Sequence, residues 1–131
     1  MKSKIPYLQA KNIADVLVEL LQPVCDIILI AGSVRRKKEI VGDIELVVLP
    51  KQIEIEEGDL FDVKTIKVVD TKFGDVVNGL GKIVKGKYDG KYMQIELPSE
   101  INLDLFIPSD YDLYRQYAIR TGSADYSFKV I

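Results

Sequence analysis

Two carboxylates follow closely after a glycine–serine pair in the segment from Ala31 to Pro50, AGSVRRKKEIVGDIELVVLP. Asp43 and Glu45 are two residues apart in a run that is typical of a β-strand. Alternate residues of a strand point to the same face, so both acids project together. Like charges this close are unfavourable unless a cation neutralises them. The spacing therefore predicts a cation site on this strand.

The turn before this strand has the features of an anion site. Gly32 and Ser33 follow an apolar run, and their backbone amides and the hydroxyl can surround an anion. Four basic residues come next, namely Arg35, Arg36, Lys37 and Lys38. An anion site beside a cation site is the pattern expected of a site for a metal-bound nucleotide.

A third acid interrupts the apolar segment from Ile101 to Ile107, which has the composition of a buried strand. Asp104 is costly in such a strand unless it is paired or bound to a cation. If this strand lies beside the first one, the three carboxylates form one site. Two structural alternatives stay open: Asp104 as a buried salt-bridge partner, and Asp43 paired with Arg35 or Arg36.

The composition limits the kind of metal and the kind of protein. The chain has 131 residues, a net charge of −2, a single cysteine (Cys25) and no histidine. An internal disulfide and a zinc site built from thiolate and imidazole are therefore excluded, and oxygen ligands indicate Mg²⁺ or Mn²⁺. A chain of this length is expected to form one domain, residues 1–131. No apolar run approaches the ~20 residues of a membrane span, so we expect a cytoplasmic location and no membrane partner.

The chain is predicted to contain both helices and strands, as in an α+β fold. The apolar spacing predicts an amphipathic helix from Tyr7 to Leu21, a short helix around Phe73 to Ile83, and a helix from Asp110 to Ile119 with Asp110 as its N-cap. Strands are predicted at Cys25 to Ala31, Ile44 to Leu49, Tyr92 to Leu97 and Ile101 to Ile107, with an edge strand at Ile53 to Glu56. The loop from Val34 to Gly42 between the first two strands has nine residues, too few for a helical crossover, so we expect these strands to be antiparallel or joined by a distorted hairpin.

These motifs together resemble the palm of the DNA polymerase beta family, also called polymerase X. Those that carry the resemblance are Gly32-Ser33-Val34-Arg35-Arg36, Gly42-Asp43-Ile44-Glu45, Leu103-Asp104-Leu105 and Thr121-Gly122-Ser123, in the family's order. The match looks closest to short phage and bacterial polymerase-X-like nucleotidyltransferases, in which Asp-Ile-Glu replaces the more usual Asp-x-Asp. The resemblance implies a nucleotidyltransferase fold, with a mixed, mainly antiparallel sheet packed against helices.

The resemblance also implies two metal ions, Mg²⁺ or Mn²⁺. Asp43 and Glu45 would bind the ion that bridges the nucleotide phosphates and would help to hold the second ion. Asp104 would complete the second site, where the attacking hydroxyl is activated. These three acids are the predicted catalytic and metal-binding residues.

The remaining motifs would bind the nucleotide. Ser33 and Arg36 would hold the β and γ phosphates, with help from the backbone amides of Gly32 and Ser33. Gly122 and Ser123 match the turn beside the incoming sugar, although taken alone they are better explained as a simple turn.

The predicted activity is transfer of a nucleotide from a nucleoside triphosphate to an acceptor hydroxyl, with release of pyrophosphate. A nucleic-acid 3′ end is the expected acceptor. The competing hypothesis is a catalytically weak nucleotide-binding or partner-binding module that retains the fold. Three acids together with Ser33 and Arg36 favour catalysis, whereas Glu45 in place of an aspartate favours the module.

Overall fold

The computed structural model describes residues 4–108, 110–120 and 129–130. Within them the helices are α1 (Tyr7–Leu21), α2 (Gly32–Arg35), α3 (Thr71–Asn78) and α4 (Tyr111–Arg120), with a short 3-10 helix at Gln22–Val24. The strands are β1 (Ile5–Pro6), β2 (Cys25–Ala31), β3 (Ile40–Val41), β4 (Asp43–Pro50), β5 (Gln52–Gly58), β6 (Val63–Val69), β7 (Lys82–Gly86), β8 (Tyr92–Glu96), β9 (Asn102–Phe106) and β10 (Lys129–Val130). None of the helices among these residues is long and apolar enough to cross a membrane.

A six-stranded sheet forms the centre of the fold. Its strand order is β10-β2-β4-β9-β8-β7, and every neighbouring pair is antiparallel except β4 and β9, which are parallel. The predicted antiparallel pairing of β2 and β4 is confirmed, running from Cys25 opposite Pro50 to Ala31 opposite Glu45. The predicted strand that carries Asp104, β9, lies directly beside β4. The α+β class and the mainly antiparallel sheet are therefore confirmed.

One face of this sheet, called here the core face, packs against α1 and α3. Ile44, Leu46 and Val48 alternate along β4 and are buried on this face, in one cluster with Leu17 of α1 and Phe73 of α3. Burial of each such side chain contributes roughly 1.5–3 kcal/mol. Helix α1 begins after Pro6, a residue suited to a helix start, and ends ahead of Pro23, so its predicted bounds are confirmed.

The opposite face, called here the site face, is apolar at one end and polar at the other. At the apolar end Leu29, Ala31 and Val47 pack with the buried Tyr114 of α4. Helix α4 is capped as predicted, because the Asp110 carboxylate accepts a hydrogen bond of 2.8 Å from the backbone N–H of Leu113. The polar end carries side chains that are only half-buried, and they include those of Asp43, Glu45 and Asp104.

Three segments differ from the sequence-based expectation. The helix predicted around Phe73 to Ile83 ends at Asn78, ahead of Gly79 and Gly81, and Ile83 lies in β7. The basic loop begins with the single turn of α2, and β5 pairs with a strand that was not predicted, β6, in a separate two-stranded sheet. Lys64 and Lys67 of β6 are three residues apart and therefore lie on opposite faces, which hides the alternation typical of a strand in the sequence. The tip of this hairpin exposes 92% of Leu60 and 97% of Phe61, and the Asp59 carboxylate closes its turn by accepting two backbone N–H groups at 2.9 Å.

Candidate active site

The register between β4 and β9 places the three predicted acids on one face. Glu45 is directly opposite Asp104, and Asp43 is opposite Asn102. Neighbouring strands are about 4.8 Å apart, and directly opposite residues of parallel strands point to the same side. Asp104 alternates with the buried Leu103 and Leu105, which places it on the site face. The expectation that the strand of Asp104 neighbours the other two acids is thus confirmed.

The carboxylate of Asp104 is held by two neutral donors from the next strand, β8. The hydroxyl of Tyr92 donates a hydrogen bond of 2.5 Å to Oδ1, and the side-chain amide of Gln94 donates one of 3.2 Å to the same oxygen. Gln94 is directly opposite Asp104 in the antiparallel pairing. Among the described residues, the hydrogen-bond donors to Asp104 are thus a hydroxyl and an amide.

All three acids also influence the pKa of the Tyr92 hydroxyl. Burial raises its pKa first of all, the hydrogen bond to Asp104 raises it further, and the charges of Asp104, Asp43 and Glu45 each add to the effect. A raised pKa keeps the phenol protonated, so it acts as a hydrogen-bond donor to the carboxylate. The common influence on one hydroxyl shows that the three acids share a local electrostatic environment.

The side chain of Glu45 reaches in the other direction, toward the start of α2. A Cβ atom built on Gly32 would collide with Oε2 of Glu45 and would lie 2.6 Å from its Cδ. Gly32 also has a φ angle of +64°, a conformation that residues with a Cβ rarely adopt. The absence of a side chain at Gly32 therefore allows the Glu45 carboxylate to lie against the predicted phosphate-binding turn.

The two polar side chains predicted to hold phosphates lie on and just after α2. Ser33 is half-buried and Arg36 is exposed. The carbonyl oxygens of Gly32 and Ser33 accept hydrogen bonds of 3.1 Å from the backbone N–H groups of Arg36 and Lys38. The first amides of a helix have no acceptor within the helix itself. Phosphate binding by these residues stays a prediction.

The three acids meet some but not all of the requirements of a site for a hard divalent cation. Carboxylate oxygens are the ligands that Mg²⁺ and Mn²⁺ prefer, and the three acids share a face on adjacent strands. Their side chains turn to different neighbours, however: Asp104 to Tyr92, and Glu45 to Gly32. In residues 4–108, 110–120 and 129–130, no group of three acidic or cysteine side chains is arranged to hold an ion. The donor chemistry and the register fit the metal, and the side-chain positions do not form its coordination shell.

The third predicted element of the site is the segment Thr121-Gly122-Ser123. Thr121, Gly122 and Ser123 lie outside the described residues. The assignment of Gly122 and Ser123 to the sugar of the nucleotide stays a prediction.

Tyr92 and Gln94 were not among the residues predicted from the sequence. The sequence feature that could have identified them is the alternation in β8, where the fully buried Met93 and Ile95 alternate with Tyr92, Gln94 and Glu96. That pattern shows that Tyr92 and Gln94 share a face. Only the pairing of β8 with β9 shows that this is the face of Asp104.

Comparison with known proteins supports the fold. Two solved structures of Leishmania infantum polymerase beta are similar to this chain: a ternary P/T complex (TM-score 0.57, 17% identity) and a ternary gap complex (TM-score 0.59, 18% identity). Each alignment covers 93% of this chain, which spans only 49% and 44% of the respective polymerase chains. No protein-family model matches the sequence, and neither does any curated protein. The likeness shows a polymerase-beta-like, nucleotidyltransferase-type fold.

Proposed function

We propose that this chain is a nucleotidyltransferase dependent on Mg²⁺ or Mn²⁺, which transfers a nucleotide from a nucleoside triphosphate to an acceptor hydroxyl. The observation that carries the proposal is the register of β4 and β9, which sets Asp104 opposite Glu45 and on the face of Asp43. This arrangement occurs within a polymerase-beta-like fold. The proposed acceptor is a nucleic-acid 3′ end.

The reaction assigns one task to Asp43 and Glu45 together and another to Asp104. Two bound cations would neutralise charge on the phosphates and make the attacking hydroxyl more acidic. Asp43 and Glu45 would hold the cation at the triphosphate and would help to hold the second cation, whose site beside the acceptor hydroxyl Asp104 would complete. The hydroxyl oxygen bonds to the α-phosphorus while the bond from that phosphorus to the leaving bridging oxygen breaks. The hydroxyl proton passes to solvent, and pyrophosphate leaves.

The start of α2 would orient the triphosphate. Ser33 and Arg36, with the amides of Gly32 and Ser33, would bind the β and γ phosphates. The contact between Gly32 and the Glu45 carboxylate supports this assignment, because it brings the proposed phosphate site next to the proposed cation site. Gly122 and Ser123 would lie beside the sugar.

The proposal is tested by removing one charge at a time from the acids. Asp43→Asn and Asp104→Asn preserve size and the ability to accept a hydrogen bond, and each should lower transfer by more than about 100-fold, beyond the 10–100-fold typical of outer-shell changes. The assay follows an α-labelled triphosphate with Mg²⁺ or Mn²⁺ onto primer ends, transfer RNA and protein acceptors.

Asp62→Asn is the matched control, because it makes the same change at an exposed position of the hairpin formed by β5 and β6. It should leave transfer at the level of the unmodified chain. Unchanged transfer in both site variants would refute a mechanism that uses three carboxylates.

A second candidate is a nucleotide-binding or partner-binding module with little catalytic activity. It is favoured by the side-chain positions of the acids, which in the described part of the chain are not arranged to hold an ion. This candidate predicts that triphosphate binds without turnover on any acceptor. Steady release of pyrophosphate would exclude it.

A further inference from the structure

The hydrogen bonds to Asp104 converge on one of its two carboxylate oxygens. Tyr92 and Gln94 both donate to Oδ1, at 2.5 Å and 3.2 Å. Among the described residues, Oδ2 of Asp104 accepts no hydrogen bond. One oxygen is thus fixed by the protein, and the other remains for a ligand.

The donor at 2.5 Å is itself held in place by ring packing. The ring of Tyr92 lies 5.3 Å from that of Phe106, tilted by 46°, and Phe106 lies 6.1 Å from Tyr117 of α4. Tilted aromatic pairs at such distances are favourable beyond their buried area. Tyr92 is also directly opposite Phe106 in the pairing of β8 with β9, so both backbone and ring are constrained. Its hydroxyl therefore occupies a fixed position beside Asp104.

We propose that Tyr92 is a positioning residue, which sets the orientation of the Asp104 carboxylate for nucleotidyl transfer, with Gln94 as the weaker second donor. This inference rests on the function proposed above, and Tyr92 acts through Asp104 rather than on the substrate. Groups that hydrogen-bond to metal-binding carboxylates fix the orientation of these ligands, and their loss costs about 10–100-fold in metal affinity or activity.

The experiment compares Tyr92→Phe with the unmodified full chain. The substitution keeps the ring and its packing on Phe106, and it removes only the oxygen that contacts Asp104. Two quantities are measured: Mn²⁺ binding, by the loss of the electron paramagnetic resonance signal of free Mn²⁺, and the Mn²⁺ concentration that gives half-maximal transfer. We expect both midpoints to rise by about 10–100-fold. A purely structural hydrogen bond would lower the unfolding midpoint and leave both Mn²⁺ midpoints unchanged.

Two further variants make the test specific. Tyr88→Phe removes the same atom from a half-buried tyrosine that packs on Gly74 in the main core, away from the acids, and should leave both Mn²⁺ midpoints unchanged. Gln94→Met removes the longer hydrogen bond at similar side-chain size and should shift the midpoints in the same direction as Tyr92→Phe, by less. It also provides the test if Tyr92→Phe does not fold.

The outcomes separate this inference from the function on which it rests. If the unmodified chain binds Mn²⁺ and transfers nucleotide while Tyr92→Phe and Gln94→Met behave like Tyr88→Phe, the positioning role is refuted and the proposed function stands. If the unmodified chain binds Mn²⁺ but no acceptor is found, the binding midpoints alone decide on the role of Tyr92. If it neither binds Mn²⁺ nor transfers nucleotide, both proposals are refuted.

Discussion

The two faces of the central sheet differ sharply although they are built from the same strands. On the core face Ile44, Leu46 and Leu105 are completely buried among apolar neighbours. On the site face, one residue away along each strand, Glu45 and Asp104 are half-buried and charged. The alternation of a strand is sufficient to place apolar and acidic side chains on opposite sides.

This difference teaches that the apolar core and the candidate acids are separated in the fold by one position along a strand. The core face supplies buried apolar area, the dominant favourable term in folding. The acids of the site face gain little from being close to one another, since like charges repel. Substitutions on the two faces should therefore change different measured quantities.

The largest expected effect is on the core face, at Leu105. Leu105→Ala leaves a cavity between the sheet and its helices, and such substitutions cost about 2–5 kcal/mol in the free energy of unfolding. Chemical denaturation measures the loss. Transfer activity per folded molecule should change little, because the side chain points away from the acids.

Asp104→Asn is the matched comparison for Leu105→Ala, since the two positions are adjacent in β9 and point to opposite faces. It should abolish transfer while the unfolding midpoint stays close to that of the unmodified chain. If Leu105→Ala lowered activity as strongly as Asp104→Asn in folded protein, the separation of the two faces would be wrong.

A smaller effect is expected where α2 meets the site face, at Gly32. Gly32→Ala requires a φ angle near +64° from a residue with a Cβ, which costs roughly 1–2 kcal/mol. The new methyl group also displaces the Glu45 carboxylate. Since a shift of about 1 Å can cost about 100-fold in rate, transfer should fall by that order. Denaturation and the labelled-triphosphate assay measure the two losses.

A double-mutant cycle with Glu45→Asp separates these two causes. The shorter side chain relieves the collision with the methyl group but not the backbone strain. Gly32→Ala should therefore cost less activity in the Glu45→Asp background than in the unmodified one, with the same loss of stability. Additive losses of activity would show that Gly32 does not act through Glu45.

Much of this arrangement can be predicted from the sequence because it depends on local patterns. The apolar run of β2, the alternation around Asp43 and Glu45, and the single acid in the last apolar segment each identify a strand and the face of its acid. The cap at Asp110 and the end of α1 before Pro23 follow from rules that involve only a few neighbouring residues. These features fix the fold class and the candidate acids.

The remaining features depend on contacts between distant segments. The pairing of Glu45 with Asp104 joins strands separated by the β5–β6 hairpin, α3 and two further strands, so its register cannot be obtained from either segment alone. The hydrogen bond from Tyr92 to Asp104 depends in turn on the register of β8 with β9. The contact between Glu45 and Gly32 depends on the rotamer of one side chain. Sequence patterns thus predict which residues form the candidate site but not the partners of each carboxylate.

The smallest expected effect is on the pH dependence of the free energy of unfolding. It comes from the buried thiol of Cys25 and tests whether water is excluded from the core face. Burial raises the pKa of this thiol to about 12, and the negative charge of Asp26 adds to the shift. An unfolded cysteine has a pKa near ~8.5, so above that pH the unfolded chain loses the proton that the folded chain retains. The free energy of unfolding should be unaffected below pH 8 and fall as the pH rises, by about 1.4 kcal/mol at pH 9.5.

Cys25→Ala is the variant that isolates this contribution. Denaturation curves at pH 7.5 and 9.5 should show that the decrease in the free energy of unfolding is smaller in the variant than in the unmodified chain by about 1.4 kcal/mol. Its lower stability at pH 7.5, caused by the smaller side chain, does not affect this difference between the two pH values. An equal decrease in both proteins would mean that water reaches the thiol, and that the core face is less completely closed than the buried strand β2 indicates.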